Sequence, residues 1–315
     1  MARAASEYLF LSIETVVNTI SLLVMVPCMM TLVRTKGMHG NCRILVVASA
    51  AVQTLLLTVQ CALFVYDYAI ENLAHDSSKE LPFLYAQNGL FTVSSCISLF
   101  IVLERTFAVW KAAQYERTKR HLYPLTAMLC FALALAVLIV YWNYWNGFFF
   151  QSIIVLYLIE GTTLIVSVIT IFYARRKLHT IPYDVDRLNA KYQVREVLKF
   201  SMAILPSVAM SSVIHTLSLT PTLLWIYGVW TYQKNCLFYR PAHSLNCILT
   251  KIVLISCHEG MRNRFKLLFV DRLKTPEGAR IKRDTENEGK VYFDQMKAAW
   301  DLPLNYAGRR LKSSL

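Results

Sequence analysis

The stretch YPLTAMLCFALALAVLIVYW at residues 123–142 is twenty residues long and carries no charge. An α-helix needs about 20 apolar residues to cross the hydrocarbon core of a bilayer, which is roughly 30 Å thick. Six more apolar runs of comparable length lie along the chain, at 8–33, 44–68, 84–110, 149–174, 198–219 and 237–257. The runs are continuously apolar rather than alternating, which favours helices over a membrane barrel. The sequence therefore predicts an all-α membrane protein, a bundle of seven transmembrane helices.

The amino-acid composition agrees with this class. The chain has 315 residues, of which 56% are hydrophobic and 17% are charged, whereas soluble domains contain about a quarter charged residues. Most of the eight cysteines lie within the apolar runs or on the predicted inner side, so we expect no extracellular disulfide. The seven histidines show neither an HExxH motif nor a zinc-site spacing. We therefore expect no metal ion, no cofactor and no enzyme activity.

The distribution of basic residues predicts the orientation in the membrane. The chain has 33 Lys and Arg against 20 Asp and Glu. Of these basic residues, 27 lie in segments 34–43, 111–122, 175–199 and the tail after 258, and four lie on the opposite side. By the positive-inside rule the N-terminus is outside and the C-terminus is cytoplasmic. The excess of basic residues thus reflects the orientation of the chain in the lipid bilayer, and we assign no nucleic-acid partner.

Four regions follow from these boundaries. Residues 1–7 form a short extracellular N-terminus, and residues 8–257 form the seven-helix domain. Residues 258–270 mix basic and apolar side chains, which is typical of a short amphipathic helix on the inner membrane surface, with a charged stop-transfer flank as the alternative. Residues 271–315 form a polar cytoplasmic tail.

Two charged residues stand at the inner end of the third run. Glu104 and Arg105 follow about twenty uncharged residues, so the arginine can reach water or a partner only from the cytoplasmic side. The alternative is an arginine that merely snorkels to the boundary.

The third inner loop carries a basic stripe that leads into the sixth run. Arg187, Lys191 and Arg195 recur every four residues, which places them on one face of a helix. Such a stripe could bind a protein or anionic lipid headgroups, the latter at about 1 kcal/mol per basic residue. Pro206 lies inside the sixth run, where proline tends to kink a helix, and is a candidate hinge.

Polar side chains in the outer halves of the runs are candidates for ligand binding, because burying them in lipid is costly. They are Glu14, Tyr85, Gln87, Asn88, Glu160 and His215. For the two carboxylates the alternative is a structural pair or a protonated carboxyl, and for the histidine it is a satisfied interior position.

Three short motifs resemble those of one receptor group. Glu104-Arg105 followed by Ala108 and by Tyr115-Glu116 resembles the ER…A…YE pattern of nematode serpentine chemoreceptors of the Sra superfamily. The stretch before the sixth run resembles that group's L..(R/K)YQ..E(N) element, carried here by Leu188, Lys191, Tyr192, Gln193 and Glu196. His39 and Asn41 resemble its H.N element. The sequences ERTFA and YQVRE most resemble the class-epsilon (Sre) branch, and the resemblance covers roughly residues 8–270.

The resemblance implies a chemosensory G-protein-coupled receptor in the plasma membrane of sensory cilia. Its partners would be an unknown small-molecule ligand and a heterotrimeric G protein. The resemblance and the basic stripe together give the residues expected to couple to the G protein, which are Glu104, Arg105, Tyr115, Glu116, Arg187, Lys191, Tyr192, Gln193 and Arg195. Compared with rhodopsin-like receptors, the chain has ERT in place of DRY and lacks NPxxY in the seventh run.

Two other classes of membrane protein are alternatives. A transporter or ligand-gated channel would favour internal repeats, paired broken helices or a charged relay, none of which is visible in the sequence. A membrane-embedded enzyme would need grouped His and Asp residues, whereas the histidines here are scattered.

Overall fold

A computed structural model of the chain describes residues 5–35, 40–70, 81–111, 122–180 and 188–269. These residues contain α-helices and no strand. The helices are α1 (Ala5–Arg34), α2 (Gly40–Ile70), α3 (Leu81–Trp110), α4 (Leu122–Trp145), α5 (Phe149–Thr180), α6 (Leu188–Ile226), α7 (Tyr232–Cys257) and α8 (Glu259–Phe269). The chain divides into two compact units after Phe265, and all packing described below lies within the first, Met1–Phe265.

Six of the helices, α1 to α6, are long and apolar enough to cross a membrane. The predicted membrane helix bundle is confirmed to that extent. With 26 residues, α7 is about 39 Å long, but it carries Arg240, His243 and Lys251, all three buried. Because these polar side chains face the interior, they lower the hydropathy of α7 without facing lipid, and a seventh crossing stays a prediction.

Helix α3 contacts more of the other helices than any other helix of the bundle. Within it, α1 contacts both α2 and α7, while α3 contacts α2, α4, α5 and α6, and the closest pairing joins α6 to α7. We name the two ends of the bundle after residues of α3. The Tyr85 end holds the first turns of α3, and the Arg105 end holds its last turns.

The apolar surface of α4 shows why its sequence has no amphipathic pattern. Ala132, Ala136 and Ile139 are buried at helical spacing, whereas Phe131 and Val137 are exposed. A helix that is apolar on every side suits a position between protein and lipid. Most side chains of the apolar stretch 123–142, which predicted the fold, thus lie on the outer surface of the bundle.

Helix α6 is longer than the predicted sixth run, 198–219, at both ends. It begins at Leu188, so the stretch predicted as an inner extension is continuous with the span. It ends at Ile226 and is followed by a Schellman cap at Gly228, which has a φ of 72°. In this cap Val229 N donates to Leu224 O and Gly228 N donates to Trp225 O. Glycine fits there because it adopts positive φ without strain.

Candidate functional site

At the Arg105 end, Glu104 and Arg105 form an ion pair with two hydrogen bonds. Arg105 Nε donates to Glu104 Oε2 at 2.5 Å and Nη2 donates to Oε1 at 2.7 Å. Arg105 is 2% exposed, and its guanidinium lies 5.7 Å from the centroid of the Phe200 ring of α6. The arginine is therefore buried under α6 instead of extending into solvent or headgroups, as the snorkelling alternative would require.

The end of α3 is also tied to α5. The hydroxyls of Thr106 and Thr170 are hydrogen-bonded at 2.5 Å. Lys177 Nζ donates to the backbone oxygens of Val109 at 2.6 Å and Trp110 at 2.8 Å. An ammonium at this position satisfies carbonyls at the end of α3 and complements the helix dipole. The sequence analysis missed Lys177, since no pattern within one helix shows which other helix its side chain will cap.

The first turns of α6 present different faces to α3 and to solvent. Val194 and Val197 are buried with Ala108, Val109 and Ala174 in a small apolar cluster. On the other side of the helix Arg195 and Lys199 are exposed, and Lys191 is half-buried. Tyr192 and Gln193 belong to α6, but their side chains lie outside the described part of the structure, as do the predicted coupling residues Tyr115, Glu116 and Arg187.

In the middle of the bundle, two predicted ligand residues meet. The carboxylate of Glu160 on α5 accepts hydrogen bonds from Ser95 Oγ of α3 at 2.8 Å and Ser212 Oγ of α6 at 3.4 Å. His215 Nδ1 of α6 lies 2.8 Å from Glu160 Oε1, and its Nε2 lies 2.6 Å from Asn246 Nδ2 of α7. The carboxylate thus joins α5 directly to α3 and α6, and His215 extends the connection to α7.

The geometry of His215 is satisfied by a neutral imidazole. With the proton on Nδ1, the ring donates to Glu160 and accepts from the Asn246 amide at Nε2. The carboxylate can then remain the local negative charge. Glu160 and His215 thus form a hydrogen-bonded pair, which agrees with the structural-pair alternative for Glu160 and with the satisfied interior position for His215.

Aromatic rings line the path from this pair toward the Tyr85 end. The Phe91 ring lies 4.6 Å from His215 and 4.5 Å from His243 between ring centroids, and Tyr239 lies 4.2 Å from His243. These packed rings place α3, α6 and α7 in mutual contact.

Asn88 stands at the Tyr85-end side of these rings. Its Nδ2 donates to the Tyr144 hydroxyl of α4 at 2.7 Å, and its Oδ1 accepts from the Tyr239 hydroxyl of α7 at 3.3 Å. Tyr85 packs edge-on against Tyr144 at 4.2 Å. We call Tyr85, Asn88, Phe91, Tyr144, Tyr239 and His243 the Asn88 cluster. It is a mixed aromatic and polar surface of the kind that small-molecule sites use.

Two predicted ligand residues, Glu14 and Gln87, belong neither to this cluster nor to the Glu160–His215 pair. Glu14 of α1 is buried near Cys61 of α2. One turn further along α1, Asn18 contacts Ser244 of α7, which also donates to Gln60 at 2.7 Å. Gln87 is buried on α3, and among the described residues its Nε2 has no hydrogen-bond partner.

A small polar cavity of about 30 Å³ lies on the Arg105-end side of Glu160. Its lining residues come from five helices and are Gln53, Ser98, Glu160, Ser207, Val208, Ser211, Thr250 and Lys251. Lys251 is 6% exposed, and its Nζ donates to Ser49 Oγ of α2 at 3.0 Å. Within the described ranges, no group of three His, Cys, Asp or Glu side chains is placed to hold a metal ion.

Several buried polar residues of α7 were not predicted as site residues. A signal was present, because Tyr239, His243, Asn246 and Thr250 recur every three or four positions and so share one face of a helix. Arg240, which the charge count assigned to the outer side, is instead buried within α7.

Comparison with known protein families gives a match over nearly the whole chain. The family described as Sre G protein-coupled chemoreceptor matches residues 2–301. This range includes every helix from α1 to α8. A comparison with curated proteins finds no match.

Proposed function

The chain belongs to the Sre family of G protein-coupled chemoreceptors, and from this premise we propose that it binds a small molecule at the Tyr85 end and activates a heterotrimeric G protein at the Arg105 end. The family match confirms the resemblance found in the sequence motifs. This is a receptor family, which favours a chemosensory receptor over the transporter, channel and enzyme alternatives. Together with the membrane helices it supports a multi-pass plasma-membrane protein, and the location in sensory cilia stays a prediction.

The orientation of the receptor is part of the proposal. The excess of Lys and Arg in the segments that join helices at the Arg105 end supports a cytoplasmic position for that end. The Tyr85 end, with the Asn88 cluster, then opens to the outside, where a ligand arrives.

The burial of Arg105 under Phe200 is the observation that carries the coupling proposal. In this conformation a G protein cannot reach the guanidinium, because the first turns of α6 cover it. Moving the end of α6 away from α3 would expose Arg105 beside the basic face that includes Lys191 and the already exposed Arg195. Two such states need differ by only a few kcal/mol for a ligand to shift their populations.

Helix α6 can transmit the effect of a ligand because it carries both His215, which contacts Glu160, and Phe200, which covers Arg105. His215 and Phe200 lie fifteen residues apart, which is about 22 Å along one helix. Pro206 lies between them, and a proline removes one backbone hydrogen bond and so weakens the helix locally. We assign Pro206 the role of hinge, so that a change at Glu160 and His215 swings the end of α6.

Phe200→Ala tests the coupling mechanism without a ligand. The substitution removes the ring over Arg105 only in the closed state, and a loss of about 1.4 kcal/mol specific to that state raises the open population about tenfold. We expect basal nucleotide exchange on a co-expressed G protein to rise by about that factor. Phe172→Ala, an exposed phenylalanine of α5, is the matched control.

Arg105→Ala decides whether the arginine is the coupling residue. We expect it to abolish signalling, and to remove the gain of Phe200→Ala in the double variant, at unchanged surface expression. Full basal signalling by the double variant would exclude the proposed role of Arg105.

Asn88→Ala tests the ligand site once a panel of volatile and water-soluble compounds has given an agonist. The amide joins α4 to α7 through two tyrosines, and a net hydrogen bond contributes about 1 kcal/mol. We expect the agonist concentration for half-maximal response to rise at least about fivefold. A response identical to the unmodified receptor would place the ligand elsewhere.

A further inference from the structure

Asn246 connects α7 to the Glu160–His215 pair. It is 3% exposed, its Nδ2 donates to Ser211 Oγ at 3.3 Å, and the same nitrogen lies 2.6 Å from His215 Nε2. Ser211 and His215 lie one turn apart on one face of α6, so a single amide group contacts two successive turns. Both turns lie on the Tyr85-end side of Pro206, the proposed hinge.

Neighbouring hydrogen bonds fix the place of this amide. Thr250 Oγ1 donates to the backbone oxygen of Asn246 at 2.7 Å, and Ser207 Oγ of α6 donates to the backbone oxygen of Thr250 at 2.8 Å. Ser207 and Thr250 are both buried. The position of Asn246 against α6 is therefore held by contacts that do not involve His215.

The amide can meet the imidazole in two orientations. With its NH2 group toward the ring, Nε2 of His215 must be an acceptor, so the single ring proton lies on Nδ1 and is donated to Glu160. With its oxygen toward the ring, Nε2 must carry a proton as well. Because Nδ1 faces the Glu160 carboxylate at 2.8 Å, the ring would then be a doubly protonated imidazolium.

The groups around the ring act in opposite directions on this second proton. The carboxylate of Glu160 favours an imidazolium, because a nearby opposite charge stabilises the charged form. The NH2 group of Asn246 disfavours it, because a proton on Nε2 would point at the amide hydrogens across only 2.6 Å. The other titratable neighbour among the described residues is His243, with its ring centroid 5.8 Å away, and a positive charge on it would also repel an imidazolium.

We propose that Asn246 is a positioning residue of the receptor, whose NH2 group keeps Nε2 of His215 unprotonated and so holds the pair as a neutral imidazole donating to a carboxylate. Through this amide, α7 controls the contact between α5 and α6. The consequence for signalling rests on the proposed receptor function. When the amide leaves Nε2, the ring takes a second proton from water, and the charge-assisted bond to Glu160 holds α6 more firmly on α5 in the closed receptor.

Nitrogen NMR of the receptor in lipid nanodiscs tests where the protons lie. Histidine labelled with ¹⁵N at Nδ1 or at Nε2 reports each ring nitrogen separately, and His215→Gln identifies the His215 signals among those of the seven histidines. At pH 7 we expect a protonated Nδ1 and an unprotonated Nε2. Asn246→Asp replaces the donor with acceptors and should give two protonated nitrogens.

Two further variants separate positioning from packing. In Asn246→Ala, water takes the place of the amide and can accept from Nε2, so the doubly protonated fraction of His215 at pH 6 should rise about tenfold. Ser207→Ala removes a neighbouring hydrogen bond between α6 and α7. It should leave the His215 signals unchanged, because it does not touch the ring.

A doubly protonated His215 in the unmodified receptor at pH 7 would overturn the proposal. The same holds for His215 signals that are identical in the unmodified receptor, Asn246→Ala and Asn246→Asp, or that shift as much in Ser207→Ala. The spectra need no G protein, so these outcomes are separate from a failure of the proposed function. Basal nucleotide exchange tests the consequence: Asn246→Asp should lower it, and a rise alongside a doubly protonated His215 would exclude the stated link to signalling.

Discussion

Lys177 shows how a single side chain can set the position of a helix end. The last carbonyls of α3 have no partner within their own helix, and the ammonium of Lys177 reaches two of them from α5. The contact lies one turn beyond Arg105, so it holds the segment that carries the proposed coupling residue. Its loss should loosen that segment without affecting the buried core.

Lys177→Met should therefore lower stability modestly. A cation at a helix C-terminus contributes roughly 0.3–1 kcal/mol, which corresponds to a fall in Tm of about 1–3 °C. The measurement is thermal unfolding of the purified receptor, with Arg176→Met, at an exposed neighbouring position, as control. Equal effects of the two variants would show that general charge near the membrane, not the cap, is responsible.

Among the helices, α8 depends on a histidine for its start. His258 Nδ1 accepts a hydrogen bond from Met261 N at 3.3 Å, and its carbonyl oxygen accepts from Arg262 N at 2.9 Å, as expected of an N-cap residue. Met261 is fully buried and Phe265 packs against the main apolar core. These contacts attach the first turns of α8 to the bundle.

The cap should make α8 sensitive to acid. Burial lowers the pKa of His258 below its ordinary value of about 6.5, Lys199 acts in the same direction and Glu259 in the opposite one. The unfolded state thus binds more protons, so the contribution of the cap is present above about pH 6.5 and is lost as the pH falls through the lowered pKa. Protonation also removes the acceptor that Nδ1 provides.

His258→Asn separates this effect from other titrating groups. Asparagine keeps an N-cap acceptor and does not titrate. We expect Tm to fall less between pH 7 and pH 5 in this variant than in the unmodified receptor. Identical pH profiles would show that the neutral histidine is not required for the cap.

At the scale of the whole molecule, the number of crossings decides whether the two termini lie on opposite sides of the membrane. Six helices are apolar enough to span a membrane, and α7 is long enough but polar. If α7 crosses as proposed, the termini lie on opposite sides. A bundle with six crossings would place both termini on one side and contradict the predicted cytoplasmic tail.

Epitope tags at the two termini measure this topology. In intact cells the N-terminal tag should bind antibody, and the C-terminal tag should do so only after permeabilisation, because the basic segments remain cytoplasmic. Labelling of both tags, or of neither, in intact cells would contradict seven crossings.

The polar residues predicted as ligand-binding from the sequence lie in different parts of the structure. Tyr85, Asn88, Glu160 and His215 were predicted because they are polar groups in apolar runs. Tyr85 and Asn88 lie in the Asn88 cluster, and Glu160 and His215 form the hydrogen-bonded pair beside it. Glu14 met the same criterion, yet it lies near Cys61 on the α1 side of the bundle. Polarity inside a run indicates burial, but the direction in which a helix is turned depends on its neighbours.

The sequence by itself determined the class of the protein, the approximate helices and the family. These follow from uninterrupted apolar length and from short motifs, both of which are local along the chain. Only the tertiary structure decided that Arg105 is covered by Phe200, that Lys177 caps α3, and that Lys251 and Glu160 share a cavity. Those contacts join residues distant in sequence, and they exist because packing in the bundle fixes the rotation of each helix about its axis.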